Sequence, residues 1–195
     1  MTFKKIDQDF FKNYAGSKRS YNSVFRDYSY IEEGIDLFLA DDAPLIKSVC
    51  VLGTGTGASL KFIKKAFDLL PYGCEISPWA YAKTPKVFQK RVVCSDMIPF
   101  IEARRKRGQV FDLSFSNSLI YLDPKALMSF LRSLAFTTRY LHFRSSFTGE
   151  ACPDSYRRIL KSYSWWNRTL KRAGFEELRT TFGQPAYLWK SRRVR

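Results

Sequence analysis

The stretch Gly53-Thr-Gly-Thr-Gly57 constrains the fold of this chain more than any other. It follows Ser48-Val-Cys-Val-Leu52, a short β-branched run that reads as a strand. It precedes residues 58–69, where Leu60, Ile63, Phe67 and Leu70 share a helical face. Glycines in a strand-to-helix turn let the backbone bend sharply and approach a ligand closely. They also put that ligand at a helix N-terminus, where backbone N–H groups point outward.

The chain beyond the turn repeats this alternation. Strands are expected at Tyr72–Ile76, Arg91–Ser95, Val110–Ser116 and Arg139–Arg144. Between them come helices opening at Ser77-Pro78, spanning Met97–Arg107, and running from Asp123-Pro124 to about Ala135. A long helix over about 154–173 is capped by Gly174, and a hairpin turns at Gly183-Gln184-Pro185. Strand–helix alternation implies parallel βαβ units, and the hairpin adds an antiparallel strand. Upstream, residues 3–14 suggest a short helix, Ala15–Tyr21 a loop and 29–40 a helix with Ser29 and Glu32 as a capping box. This predicts an N-terminal helical segment, 1–44, ahead of a ligand-binding domain, 45–195.

Chemistry-bearing residues fall at the strand ends. Glu75 closes the second strand, 20 residues after Gly55, and a carboxylate there can accept from both ribose hydroxyls. Asp96 closes the third and is followed by Met97; an acid can meet an adenine amine while apolar neighbours sandwich the ring. Asn117 closes the fourth. Ligands bind at the carboxyl ends of strands in open α/β sheets. Each acid also has a plainer role open to it, as a helix N-cap or a surface charge.

On these residues the chain resembles the class I S-adenosylmethionine-dependent methyltransferases over about 45–192. Gly53-Thr-Gly-Thr-Gly57 is similar to the family's GxGxG loop, Glu75 to its ribose acid and Asp96 to its adenine-side acid. Phe111-Asp-Leu-Ser-Phe-Ser-Asn117 is similar to the fourth-strand motif, and Tyr163-Ser-Trp-Trp-Asn167 with Arg172-Ala-Gly-Phe175 to the late helix and last hairpin. The resemblance implies a Rossmann-like α/β fold, strand order 3-2-1-4-5-7-6 with strand 7 antiparallel. It implies S-adenosyl-L-methionine as cofactor, held by Gly53, Thr54, Gly55, Gly57, Glu75, Ile76, Asp96, Met97 and Asn117. Acceptor-side candidates are Asn117, Tyr121 and His142, with Arg144 beside them. Asn117 has a second reading as a loop residue capping its own backbone, and His142 as a packed core histidine. The aromatic residues Phe25, Tyr28 and Tyr30 form a lid or pack on the sheet's helices. One departure stands out: Val51 occupies the place, two residues before the first glycine, where the family usually carries Asp or Glu. That leaves open a non-catalytic, methyltransferase-like module binding RNA or a protein. Gly53-x-Gly55-x-x-Ala58 with Glu75 also satisfies a dinucleotide fingerprint, but little chain remains for a dehydrogenase's catalytic domain.

Charge bears on the acceptor. The chain of 195 residues carries 33 Lys and Arg against 18 Asp and Glu, a net charge of +15. Residues 1–60 are net −1, 61–154 net +7 and 155–195 net +9, so the surplus follows the glycine loop. This favours an anionic partner such as RNA, through the basic middle and C-terminal segments. A small-molecule acceptor stays open. Two base-modifying classes are disfavoured: Asn117 is followed by Ser-Leu-Ile rather than Pro-Pro-aromatic, and Cys152-Pro153 reverses the Pro-Cys order. The cysteines Cys50, Cys74, Cys94 and Cys152 form no CxxC pair and are expected to be buried free thiols, as suits a reducing cytoplasm. No metal-ligand cluster, signal peptide or membrane span is legible.

Overall fold

The computed structural model describes residues 45–143, 157–178 and 188–194, together with Ile31 and Ile35. Strands β1 (Val49–Leu52), β2 (Tyr72–Glu75), β3 (Val92–Cys94), β4 (Phe111–Ser116), β5 (Thr138–Phe143), β6 (Phe175–Glu177) and β7 (Leu188–Ser191) form one sheet. Its order is β3-β2-β1-β4-β5-β7-β6. The first five strands pair in parallel, and β7 runs antiparallel to both β5 and β6. This is the expected architecture. Central β1 is buried along its whole length, which is why it reads as a continuous apolar run rather than an alternating one.

Helices cover both faces. Helix α1 (Ala58–Phe67) buries Leu60 and Ile63 in a cluster with Val49, Val51, Leu113 and Phe115. Ile31 and Ile35, both helical, lie buried in the same cluster. The other face is covered by α3 (Met97–Lys106), α4 (Pro124–Ala135) and α5 (Tyr163–Ala173), whose apolar sides meet Cys50, Leu52, Leu141 and Phe143. The short α2 (Pro78–Tyr81) begins at Ser77, which accepts from the Ala80 N–H at 3.3 Å, the N-cap read from Ser-Pro.

Some expectations change. Helix α1 stops at Phe67 because Asp68 turns left-handed, with φ 54°, and donates its N–H back to the Lys64 carbonyl. The last helix begins only at Tyr163. Ser162 caps it through the Trp165 N–H, while the preceding segment is anchored by the Arg158 and Ile159 N–H groups donating to the Ile120 carbonyl. Cys50 and Cys74 are buried free thiols, but Cys94 is exposed because β3 is an edge strand. The 3–14 helix, the 15–21 loop, the Ser29 capping box, Phe25, Tyr28, Tyr30, Arg144, Cys152 and the turn at 183–185 lie outside the described residues.

Candidate functional site

Strand order reverses between β1 and β4. The chain steps outward from β1 to β3, then crosses back to β4, which makes the carboxyl ends of β1 and β4 the switch point where a ligand crevice is expected in an open α/β sheet. Gly53 ends one wall and Asn117-Ser118 the other. Gly53 has φ 82°, and a Cβ built on it would lie 2.2 Å from Ser118 Oγ. Glycine is therefore required twice over, by the left-handed backbone and by the close approach of the opposite wall. Gly57, the N-cap of α1 with φ 83°, is similarly pressed: a Cβ would meet Pro85 Cδ at 2.9 Å. Thr54 is buried, with its methyl turned toward Gly73 of β2. The N–H groups of Gly53 and Thr54 both donate to the Cys74 carbonyl at 3.0 Å, tying the loop to β2.

Glu75 is the centre of this arrangement. Only 3% of it is exposed, and its two oxygens accept from different segments. Oε2 takes the Gly55 N–H at 2.7 Å, and Oε1 takes the Ser77 N–H at 2.9 Å. The carboxylate thus holds the middle of the glycine loop against the start of α2. Burial pushes its pKa above the ordinary 4.5, against the opposing pull of these backbone donors. The Ile76 N–H also bears on the carboxylate, so of the four acceptor positions on its two oxygens these three donors leave at least one. Beside it, Ile76 is 44% exposed, an apolar surface on the rim of the crevice.

Asp96 is the N-cap of α3, with Oδ1 accepting from the Ile98 N–H at 2.8 Å. Oδ2 takes no hydrogen bond among the described residues. Met97 follows, half-buried against the cluster beneath α3. Asn117 is half-buried directly after β4, and Tyr121 ends a 3-10 turn, Leu119–Tyr121, with its ring packed on the same cluster. His142 sits apart from these. It lies within β5, fully buried, opposite Phe115 of β4, with ring centroids 5.5 Å apart.

Val51 points into the apolar cluster under α1 and is 3% exposed. Among the described residues, the group pressed against the first glycine is Ser118. The sequence offers only one signal for Ser118, that it follows Asn117 at the end of a central strand. Among the described residues no group of three or more His, Cys, Asp or Glu could hold a metal ion.

No protein-family model matches this chain, and no curated protein matches it. Solved structures do. A SAM-dependent methyltransferase from Archaeoglobus fulgidus aligns with a TM-score of 0.61 and 18% identity, covering 80% of this chain and 73% of that one. The sugar N-methyltransferase KedS8 from Streptoalloteichus also gives 0.61 and 18%, covering 91% of this chain and 94% of that one. The magnesium protoporphyrin IX methyltransferase ChlM from Synechocystis, solved with bound SAH, gives 0.57 and 17%, covering 84% and 81%. Topology, glycine turn and these likenesses agree: the chain has the fold of the class I S-adenosylmethionine-dependent methyltransferases.

Proposed function

We propose that this protein is a methyltransferase that binds S-adenosylmethionine in the β1/β4 crevice and methylates a small molecule or an RNA. The observation that carries the reading is the Glu75 carboxylate, fixed at the strand end by the Gly55 and Ser77 N–H groups with acceptor capacity to spare. That capacity suits a ribose hydroxyl. Asp96 Oδ2 suits an adenine amine, with Ile76 and Met97 as apolar walls for the ring. Gly53, Thr54, Gly55 and Gly57 supply backbone at close range, and Asn117 and Ser118 form the facing wall. The bound cofactor supplies an activated methyl on a sulfonium. What remains for the protein is to align the acceptor with that methyl and to exclude water. A general base is needed only where the acceptor must lose a proton early, so the burial of His142 costs the reading nothing. Asn117 and Tyr121 are the acceptor-side residues of this proposal.

A second reading rests on Val51. With an isopropyl group where the family usually has an acid, the methionine end of the cofactor loses a charged anchor, as in a non-catalytic module that keeps only the fold. A nicotinamide oxidoreductase is the weakest alternative. Isothermal titration with S-adenosylmethionine, and separately with NAD and NADP, decides among them. Saturable binding of S-adenosylmethionine supports the proposal. No binding at millimolar concentration overturns it.

A further inference from the structure

Among the described residues, many of the surplus cations gather at one end of the sheet. In βαβ units the helices run opposite to the strands, so every helix ends at the pole where the parallel strands begin. The last turns there carry Lys64 and Lys65 of α1, Arg104, Arg105 and Lys106 of α3, Arg132 of α4, and Lys171 and Arg172 of α5. Antiparallel β7 ends at the same pole and delivers Arg192 and Arg193; the Arg192 N–H donates to the Gly174 carbonyl at 2.9 Å. The helix dipole favours a cation in each last turn. It does not account for Arg91, at the start of β3, or for Arg193.

Two aromatic rings are set among these cations. Tyr72, at the start of β2, has the Arg91 guanidinium 4.8 Å and the Arg104 guanidinium 5.7 Å from its ring centroid. Phe136, which caps α4 and is 42% exposed, has Arg105 at 4.7 Å and Arg193 at 5.8 Å. Arg104 and Arg105 are adjacent, so the two clusters join into one row: Arg91, Tyr72, Arg104, Arg105, Phe136, Arg193. Contacts behind the row hold it in place. Arg91 donates to the Leu70 carbonyl at 2.9 Å, Arg104 to Gln109 at 2.9 Å and Arg105 to Ser133 at 3.3 Å. None of the four arginines forms an ion pair among the described residues. Exposed Lys90, Lys106, Arg107, Arg132 and Arg192 flank the row.

We propose that this pole is a docking surface for a single-stranded nucleic acid. Guanidiniums bind phosphate oxygens bidentately and offer flat faces on which bases stack, and an exposed ring among them adds to that platform. Clustered cations without carboxylate partners repel one another, and a polyanion relieves that repulsion. The surface lies at the opposite end of the sheet from the glycine loop: β1, which the loop follows, and β2, which Tyr72 begins, have four residues each, so about 13 Å of strand separates the two. It therefore holds a strand at a distance from the crevice, and it stands whether or not the crevice binds S-adenosylmethionine.

The test is fluorescence anisotropy with a labelled 20-nucleotide oligo-U, at salt concentrations from 50 to 300 mM. With about six phosphates neutralised, log K should fall with log salt at a slope near −4. Replacing both Arg105 and Arg193 by Gln should reduce that slope by about 1.4. Phe136→Leu, which keeps apolar bulk at the cap but removes the ring, should weaken binding about tenfold. Oligo-dT should bind alike, since nothing in the row is directed at the sugar. Circular dichroism and thermal melting check that each variant folds. The proposal is overturned if oligo-U does not bind, or if these variants leave affinity and slope unchanged. Tighter binding of a duplex, or of phosphatidylserine vesicles, also overturns it.

Discussion

The buried carboxylate of Glu75 should make stability and cofactor affinity respond to pH in opposite directions. Its pKa is raised above 4.5, chiefly by burial. Between 4.5 and that raised value the folded state holds a proton that the unfolded state has released. Stability contributed by this group therefore falls as pH rises through the window, by at most about 1.4 kcal/mol per pH unit for one proton. Affinity moves the other way. Only the carboxylate has acceptor capacity left for a ribose hydroxyl once Gly55, Ile76 and Ser77 have donated, so S-adenosylmethionine binding weakens as pH falls through the same window. Glu75→Gln removes both effects. Its amide NH2 would confront either the Gly55 or the Ser77 N–H, and losing a charge-assisted hydrogen bond to the ribose should cost about 1–3 kcal/mol in affinity. The assay pairs urea denaturation with calorimetric titration across pH 4.5–8 for both proteins. Taking the difference between them cancels every other titrating group. If the pH profile of affinity in Glu75→Gln matches that of the unaltered protein, Glu75 is not the ribose acid.

Other substitutions separate structural from binding roles. Asp96→Asn should leave thermal stability nearly unchanged, because asparagine caps helices about as well as aspartate, yet weaken S-adenosylmethionine binding by presenting NH2 to an amine. Asp96→Ala should cost about 1 kcal/mol of stability as well, seen in denaturant unfolding. Gly53→Ala forces a side chain into left-handed backbone, at about 1–2 kcal/mol, and drives its Cβ against Ser118. Ser118→Gly should recover the collision but not the backbone strain, so the double variant melts between the single Gly53→Ala variant and the unaltered protein. Tyr121→Phe should reduce turnover with little change in S-adenosylmethionine affinity, read as a fall in kcat once an acceptor is identified.

The sheet was legible because its signals are redundant. β1 is followed by Gly53, β2 by the Ser77-Pro78 helix start and β3 by the Asp96 N-cap, and a parallel sheet buried on both faces leaves few other ways to bury such runs. What stayed hidden depends on contacts distant in sequence. The late start of α5 turns on Arg158 and Ile159 reaching the Ile120 carbonyl. The exposure of Cys94 follows from β3 lying at the edge, which its apolar neighbours Val92 and Val93 do not announce. Glu75 was found by its spacing from Gly55, but its grip on the loop was not. A one-dimensional pattern gives the position of a carboxylate and not which N–H groups turn toward it. Ser118 became part of the site only through its approach to Gly53.

The basic pole was within reach of the sequence all along. The Arg104-Arg-Lys-Arg107 run, read alone, is explained by the dipole of the helix it ends. Placed in a parallel sheet, the same explanation applies at α1, α3, α4 and α5, and strand direction then decides where the charges meet. The crevice takes the strand carboxyl ends and the helix N-termini; the opposite end of the sheet takes the cations. One topological rule thus gives the chain two dissimilar ends. On the proposal above, an anionic strand docks first at the end away from the glycine loop. If RNA is the methyl acceptor, its modified nucleotide must come around the sheet from there. Methylation should then require an RNA long enough to span both ends, and trimming the substrate below that length should abolish turnover while S-adenosylmethionine binding persists. Equal turnover on a mononucleotide and on a long strand would separate the two ends functionally, leaving the crevice to a small molecule.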